Sequence, residues 1–119
     1  SSPSGGGKMD FDRELVKGST VPIVLKLLDE REMYGYEIVK VVNERTGGEF
    51  QWKEGTLYPC LHGLEADGLL KSRWREAPSG KKRKYYYLTR KGRAELKRRV
   101  AQWKEFAAQM NVLLLGEAT

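Results

Sequence analysis

His62 and Cys60 are the single histidine and the single cysteine of the chain. Two residues apart on a helix, they point in different directions, so a metal would need ligands from another chain. No metal site is expected, and a buried Cys60 packed as a small apolar group is the better reading. No Ser/His/Asp arrangement can be assembled and no Gly-rich phosphate loop is present, so neither an enzyme nor a cofactor is expected. What remains is the chemistry of charge and hydrogen bonding. Of the 22 Lys/Arg, 14 fall between Lys71 and Lys104, against only two of the 16 acidic residues, Glu76 and Glu95. Charge segregated in this way makes a directional field that suits a polyanion. Within that segment Lys81, Lys82, Arg83 and Lys84 form a cationic run suited to phosphates or a minor groove. Just upstream, Thr56, Tyr58 and His62 offer groups that can hydrogen-bond to bases and phosphates.

These residues need elements to hold them. Leu57, Leu61 and Leu64 form one buried stripe of a helix beginning near Glu54 or Gly55 and running to Asp67, with Gly68 as its stop. Thr56, Tyr58 and His62 lie off that stripe and should face outward. Alternation from Leu70 to Arg75 and from Arg83 to Leu88, around the turn Ala77-Pro78-Ser79-Gly80, predicts a β-hairpin with a basic tip. Tyr86 and Leu88 should share one face, Tyr85 and Tyr87 the other. Upstream, Asp10 to Lys17 reads as a short helix closed by Gly18. Ser19 reads as the N-cap of a second helix, with Pro22 in its first turn and Ile23, Val24, Leu27 and Leu28 inward. Gly35 to about Arg45 is a further helix, with Ile38, Val39 and Val42 inward and Gly47-Gly48 at its end.

Thr89 is the expected N-cap of a last helix reaching about Leu115. Along it Leu96, Val100, Trp103, Ala107, Met110 and Leu114 recur at heptad spacing, and this stripe is read as a dimer interface. Trp103, with Phe106 and Ala107 beside it, is the candidate for an effector pocket at that seam. Trp74 is expected in the core beneath the hairpin, and Trp52 at the domain's edge.

A chain of 119 residues, 39% hydrophobic and 32% charged, fits one globular domain with a modest core. Its apolar runs are too short to span a membrane, and no secretory signal opens it. A lone cysteine fits a reducing compartment, so the cytoplasm is the expected location. Residues 1–8 read as an expression scar or disordered tail, 9–88 as a winged-helix DNA-binding domain and 89–119 as a dimerisation helix. The fold class is mainly α with a small β-hairpin: a winged helix-turn-helix with a long C-terminal helix.

The runs Tyr34-Gly35-Tyr36-Glu37-Ile38, Gly55-Thr56-Leu57-Tyr58-Pro59, Leu61-His62, Leu64-Glu65 and Gly68-Leu69-Leu70 closely resemble those of PadR-family transcriptional regulators. So do Trp74, Lys82 to Tyr86, Leu88-Thr89 and Gly92-Arg93, and the resemblance covers about Leu15 to Trp103. It implies the shorter branch of that family, a homodimer that represses its targets on a palindromic operator and is released by a small molecule or stress signal. In multidrug-binding relatives a tryptophan pair stacks flat aromatic drugs at the dimer interface, which implies the same for Trp103. Tyr36 joins Thr56, Tyr58, His62 and Lys81 to Lys84 in the DNA-contacting set. Two departures stand out: Gly63 where the family often has a basic residue, and Pro22 where its first core helix commonly continues. The alternative from another class is a winged-helix interaction module whose basic face meets an acidic partner.

Overall fold

In the computed structural model, which describes residues 13–117, four helices and three strands follow one another along the chain. They are α1 (Arg13–Glu30), β1 (Met33–Tyr34), α2 (Gly35–Arg45), α3 (Glu54–Ala66), β2 (Leu70–Glu76), β3 (Lys82–Leu88) and α4 (Arg90–Met110), with a π-helical turn over Asn111–Leu115. Residues 1–8, read above as an expression scar, lie outside the described part. Among the described residues no helix is long and apolar enough to cross a membrane.

From Arg13 onward the two helices expected on either side of Gly18 are one, and Asp10 to Asp12 of the first lie outside the described residues. α1 continues through both Gly18 and Pro22. Pro22 cannot donate to the carbonyl four residues back, but that carbonyl belongs to Gly18, an exposed residue with open space around it, where water can satisfy it. Burial holds the helix together. Val24, Leu25, Leu27 and Leu28 are all in the core, whereas Ile23 is only partly covered.

α2 buries Gly35, Ile38, Val39 and Val42, and α3 buries the expected Leu57, Leu61 and Leu64. The loop between them is fixed by Asn43, whose side-chain amide donates to the Trp52 carbonyl (3.0 Å) and accepts from the Trp52 N–H (2.7 Å). Trp52 is thereby seated in the core rather than merely closing an edge. α3 ends in a left-handed Gly68, with Gly68 N–H donating to Glu65 and Leu69 N–H to Leu64. Those two bonds satisfy the last carbonyls of the helix.

The hairpin is part of a three-stranded antiparallel sheet in the order β1-β3-β2. Met33 and Tyr34 pair with Tyr86 and Tyr85, an addition that the sequence reading lacked. α4 starts where expected: Thr89 Oγ1 accepts from Gly92 N–H at 3.0 Å. Its first two turns pack into the same core as α1 to α3, with Leu96 only 6% exposed. Leu96 therefore belongs to the interior of its own domain, not to an exposed seam. Beyond it the helix leaves the core, and Val100, Trp103, Phe106, Leu113 and Leu114 are exposed, while Ala107 and Met110 are partly covered.

Candidate nucleic-acid interface

The helix carrying Thr56 and His62 is held on its Leu stripe, which leaves both residues exposed. Tyr58 behaves differently from the outward residue expected. Its ring lies against Gly35 at the start of α2, so close that a Cβ there would come within 2.5 Å of the hydroxyl. Gly35 is required at that contact because any side chain would push the ring away. Tyr58 is half-buried and also approaches His62, with ring centroids 6.2 Å apart. Burial, with Glu54 nearby, pushes the Tyr58 phenol above its ordinary range, so it keeps its proton near neutral pH and can donate. Cys60, on the same helix, is partly buried, and burial pushes its thiol up as well. That keeps it an inert thiol.

The hairpin's two faces divide its cations. Ser72 Oγ donates to Glu65 of α3 at 2.5 Å, so Leu70, Ser72 and Trp74 face α3, and by alternation Lys71, Arg73 and Arg75 face away. On that far side Glu32 takes both Arg73 (2.6 Å) and Arg75 (2.5 Å). The hydrogen bond from Arg73 leads in holding the Glu32 carboxyl below its usual range. The same two guanidinium groups lie over the rings of Tyr87 and Tyr85, and Arg83 lies 5.0 Å from the Tyr34 ring. These cations brace the sheet as much as they charge it.

Of the expected cationic run, Lys81 alone sits in the loop, closed by Ala77 N–H donating to the Lys81 carbonyl and by left-handed Gly80. Lys82, Arg83 and Lys84 belong to β3. Among the described residues neither Lys81 nor Lys82 has a carboxylate partner, while Lys84 lies 3.8 Å from Glu65. Tyr36 is half-exposed at the start of α2. Between α3 and the hairpin runs a groove of about 330 Å³ bounded by Tyr34, Gly35, Tyr58, His62, Trp74, Lys82, Arg83, Lys84 and Tyr86. Five of the eight residues expected on DNA, namely Tyr58, His62, Lys82, Arg83 and Lys84, thus share one groove. Thr56, Tyr36 and Lys81 are not among its walls.

Trp74 is the clearest correction here. It is 69% exposed rather than core, because at that level β2 and α3 are separated by an open groove, shared with Tyr58 and His62, rather than by packed side chains. Tyr34, Gly35 and Glu32 are site residues that the sequence reading did not assign. Their signal is a two-residue strand and an ion pair 41 residues apart in sequence, neither of which has a periodicity to detect.

A second concavity, about 520 Å³ and mostly apolar, lies between α1, the end of α2 and α4, with Pro22, Ile23, Phe50, Val100 and Trp103 among its walls. Trp103 is in ring contact with Phe106 (6.1 Å between centroids), yet neither Phe106 nor Ala107 lines the cleft. Among the described residues no group of His, Cys, Asp and Glu could hold a metal ion.

Comparison with known proteins agrees with this architecture. A transcriptional regulator from Clostridium thermocellum superposes with a TM-score of 0.79 at 31% identity, covering 87% of this chain and 98% of that one. A PadR family transcription regulator from Clostridium difficile superposes with a TM-score of 0.72 at 36% identity, covering 82% and 99%. An uncharacterised protein of Lysinibacillus sphaericus is 34% identical over 103 residues, 87% of this chain and 94% of its own length. The family model for PadR-like transcriptional regulators matches residues 24–98, a span that takes in the core of α1, the helix of Thr56 and His62, the whole hairpin and the docked start of α4. The chain belongs to the PadR-like family of transcriptional regulators, which are DNA-binding proteins and not enzymes.

Proposed function

We propose that the chain is a sequence-specific repressor that binds a palindromic duplex as a homodimer through α4 and is released by a small flat aromatic effector. The observation that carries the DNA part is the outward placement of His62 on α3 beside Lys82 and Lys84 on β3, with Thr56 exposed on the same helix. α3 is then the recognition helix in the major groove, and the hairpin is the wing on the neighbouring backbone. The chain divides into a winged-helix unit of residues 9–88 and a dimerisation helix of residues 89–119, whose first two turns, as far as Leu96, pack on the winged-helix core.

Selection of duplexes from a random pool by the full chain tests the reading. The selected duplex should bind about a thousandfold or more tighter than its scrambled form. Replacing Thr56 and His62 together by Ala should weaken the selected duplex about tenfold or more and relax its preference, as lost base contacts do. Lys82→Ala with Lys84→Ala should weaken every duplex alike and reduce the slope of log affinity against log salt by about one to two. Equal, salt-sensitive attraction to all nucleic acids would instead favour the interaction-module reading.

Trp103 supports the effector part, since it is 59% exposed and walls the apolar cleft beside α1. A cleft of about 520 Å³ is within the size range of small-molecule sites. Flat aromatic compounds should quench tryptophan emission and loosen the duplex complex, the two effects linked by reciprocal coupling. Trp103→Ala should lose both responses and, at concentrations where sedimentation shows the variant dimeric, keep ligand-free duplex binding. Quenching that persists in the Ala variant would remove Trp103 from the effector's path.

A further inference from the structure

Trp74 stands out on the wing because an indole is rarely left 69% exposed on a strand flanked by cations. It occupies the face of the sheet turned toward α3 and is paired in register with Lys84. Lys82 lies on that same face two residues away along β3, by the alternation of the strand. The three form one rim of the groove whose other wall is Tyr58 and His62 of α3. An apolar plane directly across from one ammonium group, Lys84, and diagonal to a second, Lys82 (itself opposite Glu76), offers both surfaces of a nucleic-acid backbone, in which apolar deoxyribose separates successive phosphates.

We infer that Trp74 is a duplex contact: its indole packs against a deoxyribose while Lys82 and Lys84 take the flanking phosphates, seating the backbone in the groove between recognition helix and wing. The inference rests on the DNA-binding reading above and adds to it a residue and a mode. Two features favour a duplex backbone over a small ligand. The groove is continuous with the exposed face of α3, and its cations lie along a strand rather than converging on one point. Contact of this kind is independent of base sequence, so its loss should reduce affinity for matched and scrambled duplexes by the same factor.

The test uses the full chain with the selected duplex and its scrambled form. Trp74→Ala should weaken both about tenfold, as truncation of a well-packed interface aromatic does. Trp74→Phe, which keeps an apolar plane, should recover at least half of that loss on a logarithmic scale. Thermal midpoints of both variants should match wild type, since the indole packs little in the free protein. Duplex should also shield part of the wild-type tryptophan emission from acrylamide, and this part should vanish in Trp74→Phe. Binding of Trp74→Ala within twofold of wild type overturns the inference, as does shielding unchanged in Trp74→Phe. Shielding of Trp74 by benzoate or inorganic phosphate, with none by duplex, would assign the groove to a small anion and also overturn it. If wild type binds duplexes without preference, the regulator reading falls, yet the loss on scrambled duplex still judges Trp74. If it binds none, both fall.

Discussion

Gly92→Ala should destabilise the fold by about 3 kcal/mol or more, the upper end of what forced overpacking costs. A Cβ at Gly92 would collide with the carbonyl of Leu69 and come within 2.8 Å of Leu88 Cδ1. The obstacle cannot swing aside, because it is backbone fixed from several directions. The Leu69 carbonyl accepts from Thr89 N–H at 3.1 Å, and Leu69 N–H is itself committed to Leu64. Thr89 Oγ1 lies 2.8 Å from the Gly68 carbonyl and 3.0 Å from that of Leu69, and it accepts from Gly92 N–H. One knot therefore joins the end of α3, the start of β2 and the cap of α4, and Gly92 lies inside it. Gly63→Ala is the matched control. Gly63 is also within a helix, but nothing lies within 4 Å of where its Cβ would be, so helix propensity alone acts and should stabilise by about 0.5–1 kcal/mol. Urea melts at equal protein concentration would compare the two, the concentration being fixed because dimerisation adds to apparent stability. A Gly92→Ala midpoint equal to wild type would mean that α4 docks less tightly than the geometry states.

Much of this fold is legible in the sequence because its signals are periodic or local. The Leu57, Leu61, Leu64 stripe places α3, Gly68 ends it, and Thr89 caps α4, each through an interaction confined to a few residues. What escaped depends on distant neighbours. Whether Pro22 breaks a helix depends on what happens to the carbonyl of Gly18, and the answer is set by solvent at one exposed position. β1 is two residues long and exists only because β3 offers it an edge. Trp74 has the alternation of a core strand residue, but a pleat says which face a side chain takes and not whether that face is covered there. Leu96 shares the heptad spacing of Val100 and Trp103, and periodicity cannot tell the part of a helix packed on its own domain from the part that leaves it. The electrostatic reading was incomplete for a similar reason. Basic residues are countable, but Glu32 pairs with both Arg73 and Arg75 across 41 and 43 residues of chain and offsets one of their two charges, so the hairpin's far face carries less free charge than its composition suggests.

The part of α4 beyond Leu96 sets the second large effect. Val100 (48% exposed), Trp103, Phe106, Leu113, Leu114 (71%) and Leu115 make an apolar surface on a helix that runs past its own domain. An exposed stripe of this kind calls for a partner, and a self-complementary contact between two α4 helices supplies one through a two-fold axis. On the dimer reading the wild type should sediment as a dimer at micromolar concentration, and Val100→Asp with Met110→Asp should sediment as a monomer. Both positions lie outside the core cluster, so the double variant should keep its helical signal. DNA binding should fall much further than any single contact explains. Two recognition helices on one duplex, about one helical turn or 34 Å apart, turn the second half-site into an intramolecular event, and separating them should cost about a hundredfold or more in affinity for the full site. The monomer should still bind an isolated half-site as well as wild type does, which separates a lost dimer from a damaged DNA face. A wild type that is monomeric at micromolar concentration, or a double variant that stays dimeric, would leave this stripe to some other partner and remove the spacing argument for a palindromic site.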